Sequence, residues 1–181
     1  MKPNWFIAWP VAPGPWLGEL LAGAPRFLRR FHPDDLHVTL AFLGPVVEDQ
    51  AWDAWDLALH LPLAPIHATL DRVEGFGNPR APSAFSLTVT GEDLACAIGD
   101  LRGALYDAAG APPDTRPPRP HCTIARPGRQ AGGPERAAGL AWARSVPPLN
   151  TRMILDRLAL YTWSEDRRER QFRILAERRL A

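Results

Sequence analysis

HVTLAF, residues 37–42, and HCTIAR, residues 121–126, share His, Thr and Ala at their first, third and fifth places, with a branched apolar residue after each Thr. A strand turns alternate side chains to opposite faces. His37, Thr39 and Ala41 therefore fall on one face, and Val38, Leu40 and Phe42 on the other. His121, Thr123 and Ala125 repeat that division against Cys122 and Ile124. The pattern predicts two strands that each bury an apolar side and present an imidazole beside a hydroxyl on the opposite side.

A second match supports the first. LDRVEGF begins at Leu70 and LDRLALY at Leu155, an offset of 85, while His37 and His121 stand 84 apart. Two independent matches at nearly one spacing predict two similar halves related by an approximate two-fold axis. Two copies at so long a period exclude a solenoid.

The remaining elements follow from periodicity and turn residues. A strand is predicted over NWFIAWP, then a broken helix over 13–30 carrying Leu17, Leu20, Leu21 and Leu28. An amphipathic helix spans 47–60, with Trp52, Trp55 and Leu59 at helical spacing. Strands follow at 66–76 and 82–90, then a helix at 92–110 closed by Gly110. An extended PPDTRPPRP leads into the second His strand, which Pro127 ends. A helix at 134–145 precedes two final strands, 152–163 and 168–178, turning around Ser164, Glu165 and Asp166. The order helix, strand, helix, strand, strand occurs twice behind one extra strand. The predicted class is α+β: two pseudo-symmetric lobes, each an antiparallel sheet with helices on its outer face and a cleft between them, in one domain over residues 1–181.

Composition removes several classes of function. A net charge of +1 provides no global field for nucleic acid, so any such partner needs a local patch. The 20 prolines predict short elements and stiff connections. Cys96 and Cys122 stand in no metal spacing and no disulfide framework, which fits a reducing compartment. WFIAW is too short for a signal-peptide core or a membrane span, so the expectation is a cytoplasmic protein with no membrane partner.

Three of the five histidines have Thr two places on: His37, His67 and His121. The repeat matches His67 with Arg152 rather than with a His, and it lacks the following Ala, so it is read as a strand residue at the sheet surface. His32 precedes Pro in a loop, and His60 ends a helix, where an imidazole suits the dipole. That leaves His37 and His121. Neutral imidazole accepts a proton and imidazolium donates one near neutral pH. The Thr39 and Thr123 hydroxyls can donate to oxygens that gain charge in a transition state. A near two-fold site suits a phosphodiester, with two bridging oxygens in line and two non-bridging oxygens between them. No third ligand stands in metal spacing with the pair, there is no P-loop or nucleophile elbow, and neither Cys carries a nucleophile signature. No metal or cofactor is expected.

At LHVTLAFLG (36–44), PHCTIAR (120–126) and LALYTW (158–163) the chain resembles the 2H phosphoesterase superfamily, defined by two H-x-T-φ motifs, φ being apolar. More closely it resembles the RNA 2′,3′-cyclic phosphodiesterases, also called 2′-5′ RNA ligases. The resemblance implies hydrolysis of an RNA 2′,3′-cyclic phosphate end to a 2′-phosphate, and reversible 2′-5′ joining. It implies His37 and His121 as the catalytic pair, Thr39 and Thr123 as phosphate-binding residues, and Arg126 near the phosphate. We assign His37 as acid to the leaving 3′ oxygen and His121 as base to water, roles that the reverse reaction exchanges.

Strict alternation turns Arg126 and Phe42 away from the His face. For Arg126, the end of the strand at Pro127 offers a way to the cleft. Phe42 reads as core, with a base-stacking contact as the alternative. Two other functions remain open: an RNA-end-binding module without turnover, and a cyclic phosphodiesterase of a small nucleotide such as an ADP-ribose cyclic phosphate. No obligate protein partner is inferred.

Overall fold

The computed structural model describes residues 2–181. Nine strands and four helices follow one another as β1 (Trp5–Pro10), α1 (Pro15–Ala22), β2 (Leu28–Arg30), β3 (His37–Gly44), α2 (Glu48–Ala58), β4 (Ile66–Asn78), β5 (Ala81–Gly91), α3 (Leu94–Ala108), β6 (His121–Pro127), α4 (Gly133–Ser145), β7 (Thr151–Leu155), β8 (Arg157–Trp163) and β9 (Phe172–Arg179). This is the predicted α+β class. Three details depart from the reading above. The predicted helix over 13–30 stops at Ala22, and Leu28 enters β2, a three-residue strand held by its pairing with β6. The single strand at 152–163 breaks at Asp156 into β7 and β8. The last turn is wider than three residues, since β9 starts only at Phe172.

The strands form one antiparallel sheet in the order β7-β4-β5-β6-β3-β1-β8-β9, with β2 also on β6. The two halves meet at its centre, where Val38 pairs with Cys122 as the one register pair between β3 and β6. They meet again where Ala68 of β4 pairs with Met153 of β7. Both pairs join residues that the sequence repeat equates, at offsets of 84 and 85. An antiparallel pair of equivalent strands is the relation a two-fold axis through the sheet imposes. In the same way β1 lies beside β3 as β5 lies beside β6, and β8 flanks β1 as β4 flanks β5.

The helices bury their apolar stripes on one side of this sheet. Ala51, Ala54, Trp55 and Ala58 of α2, Leu94, Ile98 and Leu105 of α3, and Trp142 and Ala143 of α4 join Ile7, Trp9, Val38, Leu87 and Cys122 in the main core. Gly110, at φ +58°, takes the left-handed turn that closes α3. A smaller cluster of Phe6, Ala8, Ala159 and Tyr161 lies apart from that core. Among the described residues no helix is long and apolar enough to cross a membrane.

Candidate active site

His37 opens β3 and His121 opens β6. The Val38–Cys122 pair sets these strand starts side by side and antiparallel, so His37 lies toward Thr123 and Thr39 toward His121. All four line one cleft of about 530 Å³. Both rings are fixed in the same way. His37 Nδ1 lies 2.6 Å from the carbonyl oxygen of Asp35, and His121 Nδ1 lies 2.7 Å from that of Arg119. In each case the carbonyl belongs to the residue two places before. A carbonyl only accepts, so each Nδ1 carries the proton and donates it, and the neutral ring keeps Nε2 as its basic nitrogen.

The rings also rest on matching aromatic pads. His37 packs on Phe6 at 4.7 Å between ring centres and on Tyr161 at 5.3 Å, with Phe172 edge-on at 5.5 Å. His121 stacks on Phe76 at 4.2 Å, and the Arg119 guanidinium lies 4.0 Å from the same Phe76 ring. Tyr161 and Phe76 are the last residues of LDRLALY and LDRVEGF. The sequence match that revealed the repeat thus ends on the pads of the two histidines, a role the strand pattern alone did not disclose.

Burial disfavours the imidazolium at both positions. His37 falls to about 4, mainly through burial, with smaller contributions from the charges of His121 and Arg126 against its hydrogen bond to Asp35. His121 is also lowered, again chiefly by burial. Cys122, behind the pair, is pushed up to about 12 by burial and stays a thiol. Thr123 Oγ1 lies 3.1 Å from Oγ of the fully buried Ser86. Thr39 faces Ala8 at the equivalent place, so only Thr123 has its hydroxyl anchored in this way.

The structure corrects the reading of Phe42 as core and gives Arg126 a different route to the cleft. Ala8 pairs with Thr39 but Ile7 with Ala41, so β3 carries one extra residue at Leu40. Ser86 pairs with Thr123 but Phe85 with Ala125, so β6 carries one extra residue at Ile124. Each is a bulge, and a one-residue slip reverses which face later side chains occupy. Ala41 and Ala125 turn into the main core, and Phe42 and Arg126 turn to the His face. Phe42 is 53% exposed and lines the cleft, as does Arg126. β6 does end at Pro127, which pairs with Leu28, but it is the bulge at Ile124 that turns Arg126 to the cleft. Because Leu40 and Ile124 are equivalent positions, one device yields an aromatic side chain in one half and a guanidinium in the other.

The other histidines keep away from this constellation. His67 is exposed on β4 opposite Ile154. His32 Nδ1 accepts the Asp34 N–H at 3.2 Å in a turn, and His60 follows α2. At the α3 side of the cleft, Arg116 binds Asp114 through Nε at 2.8 Å and Nη2 at 2.7 Å, which lowers the carboxyl to about 2. Among the described residues no group of three or more His, Cys, Asp or Glu side chains is placed to hold a metal ion.

A family model described as the 2′-5′ RNA ligase superfamily matches residues 20–167. An RNA 2′,3′-cyclic phosphodiesterase of Geobacillus stearothermophilus is 31% identical over 171 residues, which cover 88% of this chain and 52% of the relative. The chain thus spans about half the length of the curated relative it matches. Of solved structures, E. coli LigT complexed with 3′-AMP is similar at a TM-score of 0.69 and 23% identity, over 99% of both chains. A Thermus thermophilus protein is similar at a TM-score of 0.69 and 23% identity, over 98% of this chain and 97% of that one. These two likenesses are likenesses of fold.

Proposed function

The chain belongs to the 2′-5′ RNA ligase superfamily, and on that premise we propose that it opens the 2′,3′-cyclic phosphate of an RNA end to a 2′-phosphate, with His37 and His121 as a metal-independent acid–base pair. The observation that carries this reading is the matched tethering of the two rings. Each Nδ1 is spent on a carbonyl, so each Nε2 is available to one shared cleft.

In the proposed reaction water attacks phosphorus, and His121 Nε2 takes the water proton as the new P–O bond forms. The bond from phosphorus to the 3′ oxygen breaks, and His37 Nε2 delivers its proton to that oxygen. The product is a 2′-phosphate with a free 3′-hydroxyl, and the two rings have exchanged a proton. A 5′-hydroxyl in place of water gives 2′-5′ joining, and reversal exchanges the roles of the rings. Thr39 and Thr123 donate to the non-bridging oxygens, and Arg126 offsets their charge. Phe42, opposite Arg126 in the repeat, gives a base a face on which to stack.

The test is phosphorus NMR of a nucleoside 2′,3′-cyclic phosphate incubated with purified protein in EDTA. A 2′-phosphate product supports the reading. Unchanged substrate that nevertheless binds overturns it in favour of an RNA-end-binding module.

A further inference from the structure

Among the described residues six arginines form an ion pair: Arg72 with Asp71, Arg116 with Asp114, Arg119 with Glu74, Arg157 with Glu177, Arg170 with Asp34 and Arg173 with Glu165. Beside the Arg126 end of the cleft, arginines without an acidic partner stand next to one another. Arg29 of β2 is the register partner of Arg126 on β6, so two guanidinium side chains stand directly across from each other. Like charges in that position cost stability. Arg29 Nη2 donates to the carbonyl of Arg167 at 2.6 Å and so fixes the β8–β9 connection against the same place. The Arg167 guanidinium lies 4.0 Å from the centre of the Trp163 ring, with its Nε buried and without a hydrogen-bond partner. Arg129 follows β6 in the next turn. Arg126 and Arg167 are both lowered, first by burial and then by these neighbouring cations. Among the described residues none of Arg29, Arg126, Arg129 and Arg167 forms an ion pair.

A cluster of this kind is relieved by an anion, and guanidinium forks match phosphate oxygens. We propose that Arg29, Arg129 and Arg167 form a second phosphate site, which takes the phosphate on the 5′ side of the nucleotide whose cyclic phosphate reacts. This deepens the proposed function and rests on it: the cyclic phosphate lies at the His pair, and Arg126 stands between the two sites. The preferred substrate is then a nucleotide carrying two phosphates. The second is either the internucleotide linkage of an RNA strand or a terminal 5′-phosphate.

Three substrates separate these cases: adenosine 2′,3′-cyclic phosphate with a 5′-hydroxyl, the same compound with a 5′-phosphate, and a dinucleotide ending in the same cyclic phosphate. With the native chain, kcat/KM is expected to be higher for one or both of the two-phosphate substrates, and the advantage to shrink as salt rises. An advantage confined to the dinucleotide identifies the strand linkage, and one confined to the 5′-phosphorylated nucleotide identifies the terminal phosphate. In the double variant Arg29→Gln, Arg167→Gln the ratio of kcat/KM for the favoured substrate over the 5′-hydroxyl compound is expected to fall about tenfold. A folding defect lowers both values and leaves the ratio unchanged. Equal native kcat/KM for all three substrates, or an unchanged ratio in the variant, overturns the site. If the native chain turns over none of them, the proposed reaction fails. Calorimetric titration with the 5′-hydroxyl and 5′-phosphate compounds then decides the site: tighter binding of the phosphorylated compound supports it and equal affinity overturns it.

Discussion

Val38 and Cys122 face each other across the centre of the sheet, and each directly follows the histidine of its own half. That one pair sets the geometry of the site. It joins β3 and β6 antiparallel at equivalent residues, so the histidine of each half lies beside the threonine of the other. The strands make no second register pair, and both flanks carry a bulge two residues further on. The cleft lies over this short seam.

Asp35 links that geometry to the last strand. Its carboxylate is fully buried and accepts the Gln171 N–H at 2.7 Å and the Phe172 N–H at 2.9 Å, while its carbonyl holds His37. Phe172 in turn lies edge-on to the His37 ring. Asp35→Ala leaves two backbone donors without their acceptor, at a cost of about 1–3 kcal/mol. A thermal melt is expected to show that loss, and the NMR titration of His37 to move with it. A variant as stable as the native chain, with His37 titrating as before, contradicts this role.

The pH dependence has a definite sign. The unfolded His37 titrates at its ordinary value of 6.5, and the folded one at about 4. Between those values the unfolded chain binds more protons, so stability rises with pH across the window and is lost as pH falls from 6.5 toward 4. His37→Asn is expected to flatten this part of the Tm profile; a profile as steep as the native one contradicts it. With His37 as the proposed acid, the same low value means that its proton is absent from the free site at neutral pH. Binding of sulfate, an anion that does not itself titrate near pH 6.5, should therefore take up a proton at that pH, measurable by calorimetry in buffers of different ionisation enthalpy. Binding without proton exchange contradicts it.

The histidine and threonine positions were legible because β3 and β6 begin in strict alternation, and the repeat singled them out from three similar motifs. What lay beyond Leu40 and Ile124 was not legible. A bulge needs no Gly or Pro, and neither residue differs in type from an ordinary strand residue, so Ala41, Phe42, Ala125 and Arg126 were assigned to the wrong faces by alternation alone. Leu28 fitted a helical stripe, and only its pairing with Pro127 makes it a strand residue. Asp35 carried no signal in the sequence, because its partners, Gln171 and Phe172, lie far along the chain.

The division of roles between the rings is open to a leaving-group test. A phosphodiester with a p-nitrophenyl leaving group departs without protonation, so it needs a base and no acid. His37→Gln is expected to retain far more of its activity on such an ester than on a cyclic phosphate, and His121→Gln is expected to lose both. The opposite pattern assigns the roles the other way round.

Packing behind the site gives an independent check of the architecture. A Cβ on Gly139 of α4 would stand 2.5 Å and 2.8 Å from atoms of the Phe85 ring, which is fully buried and packs edge-on against Trp142. Overpacking of this kind costs about 1–3 kcal/mol, against a gain of about 1 kcal/mol from removing a helical glycine. Gly139→Ala is expected to lower the Tm. An equal or higher Tm contradicts the close contact of α4 with β5.

The most direct measurement is the rate at which single Ala variants of His37 and His121 hydrolyse a nucleoside 2′,3′-cyclic phosphate in EDTA. Two positioned proton-transfer groups predict a fall of at least about 10²-fold for each. A His121→Ala protein, folded and turning over at the native rate, would contradict the account.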